Sequence, residues 1–341
     1  MKTINLNTCT IEAMFNQLKG NFGGLIEKDS KEYILDIENE IGIGNIKGVS
    51  LQDGISYIEF DMVFSEHVVI SVDTPNKNPI YFAYCSEGSL GHSFGLQGKK
   101  RILDKFQTGI LTSQMGDENR LYFNKEERSK ITLISVQTTN NSNVSDKKSL
   151  KSKLHDTFLK SKTKENFVYI GSQNLKIAEK IEHLNAIKQT GLVRSLLIKG
   201  LVHVILALEI QQHAEDNNRQ APVGSLTSRD METIKKATQY IKCNYDTQLS
   251  ITQLCSEFTI SPSKLQEGFK GMHGRTVTDY IREIRVLKAE ELIKETDLNI
   301  SEVVYSIGLS SRSYFSKIFK EKFNCSPKDY KDAQKILPLS A

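Results

Sequence analysis

Hydrophobic and polar positions change their period twice along this 341-residue chain. Between about 33 and 137 the apolar positions come in short alternating or continuous runs, at 55–63, 67–72, 80–85 and 131–136. Turn residues separate the runs at 52–54, 73–79 and 88–91. Many short runs at this spacing predict an antiparallel sandwich or barrel. Residues 138–165, rich in Ser, Thr, Asn and Lys, read as a polar loop or linker. From 174 to 213 the period becomes helical, with Ile177, Ile181 and Leu184, then Leu197, Leu201, Val204, Ile205 and Leu208. Residues 214–225, polar and carrying Pro222 and Gly224, read as a second linker.

Beyond that linker one unit is written twice. Residues 250–258 read SITQLCSEF and are followed, after a turn, by SPSKLQEGFK at 261–270. Residues 299–308 read NISEVVYSIG and are followed by SRSYFSKIFK at 311–320. Ser250 with Gln253 and Asn299 with Glu302 have the spacing of a capping box, in which side chains satisfy the orphan amides of a helix start. Leu254 and Phe258, and Val303, Val304 and Ile307, give each first helix one apolar stripe. Gly308 supplies a turn that requires positive φ. Ser261-Pro262 places proline at a first helical position, where its missing amide proton costs nothing. Leu265 with Phe269, and Phe315 with Phe319, anchor the second helices. That leaves Ser263, Gln266, Glu267 and Lys270 outward on one, and Arg312, Ser313, Ser316, Lys317 and Lys320 on the other, side chains suited to base edges and phosphates. The pattern predicts two helix-turn-helix units, at about 250–271 and 299–323. An ordinary helical bundle would have no reason to repeat both caps and turns.

These residues resemble the DNA-binding domain of AraC/XylS-type transcription regulators, through ISEVVYSIG at 300–308, SYFSKIFK at 313–320 and FNCSPKDY at 323–330. The resemblance implies seven helices, two helix-turn-helix units and a long joining helix at about 276–295. It also implies recognition helices entering successive major grooves. Carried over, base contacts fall to Ser263, Gln266 and Glu267 in the first unit and to Arg312, Ser313, Ser316 and Lys317 in the second. Lys270 and Lys320 complete the expected DNA-binding set. Glu267 stands where a basic residue is common, and Val277 where the second copy has Pro327. The family plan implies an α+β chain: a β-rich, cupin-like ligand-sensing domain at 1–140, linkers and a helical dimerisation segment at 141–225, and the DNA-binding domain at 226–341. The resemblance is nearest to the siderophore-responsive, pyochelin-regulator-like branch, through LQEGFK at 265–270, the Gly274 to Tyr280 segment, and GLVRSLL at 191–197.

Charge and composition change this picture little. The net charge is +4; residues 226–341 hold 18 Lys and Arg against 15 Asp and Glu, residues 1–225 hold 27 against 26. So small an excess makes DNA affinity depend on placed charges rather than a general basic field. Five cysteines, Cys9, Cys85, Cys243, Cys255 and Cys325, include no C-x-x-C pair and read as reduced thiols, with Cys255 and Cys325 at positions suiting a small buried residue. His67 and His92 are isolated, so no metal site and no cofactor is expected. Ser261-x-x-Lys264 has acyl-enzyme spacing but lies at a cap, and no catalytic set assembles, so the chain reads as no enzyme. Aromatic residues Tyr57, Phe60, Phe64, Tyr81, Phe82, Tyr84 and Phe94 are open to either core or ligand cavity. The first residues lack an apolar signal segment, and 191–210 is interrupted by Arg194, Lys199, His203 and Glu209, a poor membrane span. The expectation is a cytoplasmic, ligand-responsive activator of transcription, with iron-siderophore uptake genes as targets. Its implied partners are double-stranded DNA, a small-molecule effector such as a ferric siderophore, RNA polymerase and a second copy of itself, with no membrane. The alternative is a regulator whose amino-terminal domain binds a partner protein.

Overall fold

The computed structural model describes residues 1–8, 10–29, 31–73, 78–113, 117–138, 150–159, 166–218 and 226–336. Cys9, the turn at 74–77 and much of both expected linkers (139–149, 160–165 and 219–225) lie outside the described residues. Two compact units divide the chain, Met1–Pro222 and Val223–Ala341.

In the first unit thirteen strands are described, β1 (Lys2–Asn7), β2 (Leu25–Asp29), β3 (Glu32–Asn39), β4 (Gly42–Ser50), β5 (Ile55–Phe64), β6 (Val68–Asp73), β7 (Asn78–Glu87), β8 (Leu90–Phe94), β9 (Arg101–Leu103), β10 (Gln107–Thr112), β11 (Asn119–Phe123), β12 (Arg128–Thr138) and β13 (Phe167–Gln173). They form a five-stranded sheet, β1-β6-β11-β8-β9, and an eight-stranded sheet, β13-β10-β7-β12-β5-β4-β3-β2. Neighbours pair antiparallel, as the alternating runs predict, except that β1 lies parallel to β6 with Lys2 opposite Val68. The two sheets share a core. Ile70, Leu121 and Phe123 from the smaller sheet meet Phe60, Met62 and Leu133 from the larger. Phe123 packs against Phe60 at 5.2 Å and Phe64 at 5.5 Å between ring centroids. Helix α1 (Ile11–Phe22) adds Ile11, Met14, Phe15, Leu18 and Phe22 to that core, a stripe at helical spacing.

Alternation sorts the aromatic residues. Phe60 and Phe64 lie between the sheets with Tyr81 packed beside them, while Tyr57, Phe82 and Tyr84 are buried outside that shared core. On that outer side lie α2 (Leu150–Phe158), α3 (Leu175–Asn185) and α4 (Gly191–Asn218). Phe82 meets Phe158 at 5.9 Å, and the Tyr84 hydroxyl donates to the Asn174 carbonyl at 2.8 Å. Strand β13 was not legible in the sequence: it lies in the stretch expected to be linkers and helices, and it extends the larger sheet beside β10.

Helix α4 is fastened to β13 by polar groups. Asp216 accepts from the Tyr169 hydroxyl at 2.5 Å and from the Ser172 amide at 3.1 Å, and Gln212 donates to the Ser172 carbonyl. Glu209 is fully buried there with neither carboxylate oxygen hydrogen-bonded, and burial pushes its carboxyl well above the usual range. Near its start Arg194 grips Glu32 with two nitrogens, at 2.9 and 2.8 Å. By length and composition α4 passes for a membrane span, with 22% of its most apolar window buried.

The second unit has seven helices among its described residues, the number implied by the resemblance: α5 (Ser228–Cys243), α6 (Ile251–Phe258), α7 (Pro262–His273), α8 (Val277–Glu295), α9 (Ile300–Ser306), α10 (Arg312–Phe323) and α11 (Pro327–Ile336). Helix α8 matches the expected joining helix, with Thr276 as its cap. Its buried stripe is Val277, Tyr280, Ile281, Val286, Ala289 and Ile293. Leu287 on the same helix is 36% exposed, and Ile284 and Leu292 are half-buried. The helical period fixes this phase: Val286, Ala289 and Ile293 stand three and four apart and face Val303, Val304, Ile307, Phe315 and Phe319.

Candidate nucleic-acid interface

Each repeat forms its helices for the predicted reasons, with instructive differences. The Ser250 hydroxyl accepts from the Gln253 amide at 3.1 Å, a one-way cap. Asn299 and Glu302 make the full reciprocal box. Ser261 caps α7 with Pro262 at its first position, and Ser311 caps α10. The turn of the second unit bends at Gly308, φ 71°. A Cβ there would lie 2.3 Å from the Asp246 carbonyl oxygen, so both conformation and space demand glycine. In the first unit Thr259 takes the left-handed conformation instead, φ 51°. Leu254, Leu265, Phe269, Phe315 and Phe319 are fully buried, as their spacing predicts. Phe258 is only half-buried, its ring edge-on to Tyr240 at 5.5 Å, and Cys255 and Cys325 are half-buried rather than enclosed.

The expected DNA-contacting residues all fall on α7 and α10. On α7, Ser263 and Lys270 are exposed, and Gln266 and Glu267 are half-buried. On α10, Arg312, Ser313, Lys317 and Lys320 are exposed and Ser316 is half-buried. Gln266 has a local engagement that sequence reasoning missed: its Oε1 accepts from the Val277 amide at 3.2 Å. A proline at 277, as in the second copy, would have no proton to give. Two large aromatics also escaped the sequence reading, Tyr305 at 65% exposure and Tyr314 at 45%.

Charges on α8 mostly tie the unit together. Arg285 donates to the Tyr245 carbonyl at 2.8 Å and the Thr247 carbonyl at 2.7 Å. Lys288 pairs with Glu291, and Arg282 with Asp279 at 3.2 Å. Glu283 accepts from Arg275, just after α7, and from Lys322 near the end of α10 at 2.7 Å. Burial raises the Glu283 carboxyl, but these two cations outweigh it and hold it below its ordinary value. One carboxylate thus joins segments of both helix-turn-helix units to the helix between them. Asp230 on α5 does the same for the first unit, accepting from Lys264 at 2.7 Å and from the Thr227 amide at 2.8 Å. The Lys264 bond, then the amide, lowers its carboxyl to about 2.

A buried polar cluster around His92 and Asn119 lies beside the apolar core of the first unit. His92 Nε2 lies 3.2 Å from Asn119 Oδ1, and Asn119 Nδ2 donates to Ser113 at 2.9 Å. Burial lowers the His92 imidazole to about 4, which makes it neutral at physiological pH, and its Nδ1 has no hydrogen-bond partner. Asn119 also lines a cavity of about 20 Å³ between the sheets, with Met14, Phe60, Tyr81 and Leu133.

Residues 254–333 match a family model described as a helix-turn-helix domain. Among curated proteins, the chain is 31% identical over 109 residues to a histidine kinase, P4, of Formosa agariphila, covering 32% of this chain and 8% of that one. It is 24% identical over 156 residues to the HTH-type transcriptional activator RhaR of Cronobacter sakazakii, covering 46% and 52%. The chain therefore spans about half or less of the curated relatives it matches. A solved structure, the C-terminal domain of the response regulator AraT from Geobacillus stearothermophilus, is 25% identical with a TM-score of 0.30, covering 35% of this chain and 94% of that one. Residues 254–333 are thus a helix-turn-helix domain, in a chain that is similar to the transcriptional activator RhaR.

Proposed function

We propose that this chain is a sequence-specific DNA-binding transcription regulator, an activator controlled through its amino-terminal unit. The observation that carries the reading is the duplicated helix-turn-helix, in which α7 and α10 are each anchored by a buried apolar pair and present polar side chains outward. Arg312, Ser313, Ser316 and Lys317 read base edges from α10, and Ser263, Gln266 and Glu267 do so from α7. Lys270 and Lys320, in the last turns of those helices, hold phosphates. Selection of bound duplexes from a random library by the full chain tests this. The expected result is two short boxes about 10 bp apart. Arg312→Ala should cost about 1–3 kcal/mol on the selected site and relax one base position. Lys320→Ala should weaken all sequences alike. No enrichment over the starting library at physiological salt would overturn the reading.

In the first unit the buried His92–Asn119 pair beside apolar walls supports a small-molecule effector. A ferric siderophore, the effector suggested by the resemblance, far exceeds a 20 Å³ cavity, so its entry between the sheets would have to displace the side chains that line it. Helix α4 supports a homodimer, because Leu192, Val193, Leu196 and Leu197 are 40–76% exposed along its first turns. The same stripe favours the second reading, a partner protein bound by this unit. Double-stranded DNA and RNA polymerase as partners place the protein in the cytoplasm.

A further inference from the structure

A cleft of about 330 Å³ opens along α8 between the two helix-turn-helix units. Its polar lining is Ser250, Thr278, Arg282, Arg285 and Tyr314, with no carboxylate among the lining residues. Asp279 and Glu283, also on α8, line a neighbouring cleft, and Arg282 stands between the two clefts and lines both. Arg285 is committed to two backbone carbonyls. Arg282 is 43% exposed and held only by Asp279 three residues back, a surface pair of the kind that contributes little. It is the cation in this cleft that a ligand could recruit.

The borders say which ligand. Ser250 caps α6, the first helix of one unit, and Tyr314 lies in the first turn of α10, the second helix of the other. In helix-turn-helix complexes the first helix crosses the DNA backbone, and the start of the second reaches the bases. A cationic cleft touching both lies along the backbone that separates two neighbouring major grooves. Resting on the DNA-binding function proposed above, we propose that this cleft seats a backbone phosphate of the duplex between the two boxes. Arg282 supplies the charge, and the hydroxyls of Thr278 and Tyr314 supply neutral donors. The cleft is a contact separate from both recognition helices' base-reading faces, and it adds affinity without sequence preference.

The test is a salt series on the full chain with a fluorescent mixed-sequence duplex of about 40 bp. Arg282→Gln should reduce the slope of log affinity against log salt by about 0.9, so that the ratio of wild-type to variant affinity changes about eightfold per decade of salt. Arg282→Lys should keep the wild-type slope. Thr278→Glu, at an exposed position in the first turn of α8 where acidic residues suit the helix, should weaken binding about fivefold or more at 0.1 M salt without lowering the melting temperature. It reads out the cleft even if Arg282→Gln disturbs the fold. A wild-type slope in Arg282→Gln, or full affinity in Thr278→Glu, overturns the cleft assignment while the DNA-binding reading stands. Failure of the wild type to bind any duplex overturns both. Inorganic phosphate at constant ionic strength supplies the remaining arm. If it stabilises the wild type but not Arg282→Gln, and the duplex slopes agree, the cleft serves free phosphate and the DNA assignment is overturned.

Discussion

Single residues set the limits on each turn of the repeat. Gly308→Ala must place a side chain at φ 71° with its Cβ against the Asp246 carbonyl. The left-handed conformation alone costs about 1–2 kcal/mol. The variant should therefore lose about 2 kcal/mol or more in a urea titration, and an unchanged midpoint would refute the close approach. Asp230 gives a pH dependence. Its folded carboxyl sits at about 2, because Lys264 and the Thr227 amide favour the charged form. The unfolded value is near 3.9. Its stabilisation is complete above that value and disappears as pH falls through about 2. Asp230→Asn should thus be less stable than wild type at pH 6, with the two urea midpoints converging toward pH 2. A gap that stayed constant with pH would refute the link.

At the scale of elements, legibility followed how local the determining forces are. The helices of the repeat could be read because caps, glycine and i, i+4 pairs act within one or two turns. The strands around 55–63 and 131–136 were legible because alternation is a local consequence of a sheet with two unlike neighbours. Strand β13 was not, since its Phe167, Val168, Tyr169 and Ile170 are all half-buried and show no alternation. It is a strand because β10 offers an edge, a partner about 60 residues away. The exposure of Leu287 on α8 was not legible for a similar reason: apolar type is visible in sequence, whereas the side the neighbouring helices occupy is not. Of the candidate interface, the exposed members of α7 and α10 were legible. The engagement of Gln266 and the cleft at Arg282 were not, because each depends on contact between elements.

For the whole molecule, the second unit has its own core, its own caps and its own ion pairs. A fragment of residues 226–341 should therefore fold alone, give a helical circular dichroism spectrum with a cooperative melt, and prefer the duplex selected by the full chain. A folded fragment without that preference would show that the amino-terminal unit takes part in reading DNA. The bond from the Val277 amide to Gln266 has a consequence for how such a protein diverges. Position 277 starts the helix that connects the two helix-turn-helix units, eleven residues away from the side chain it holds. Under the base-reading role proposed for Gln266, exchange of a proline for a residue with an amide proton re-aims that side chain while every residue of α7 stays the same. On that proposed role, part of the molecule's vocabulary is written in its connector, where a comparison of α7 and α10 alone would never look for it.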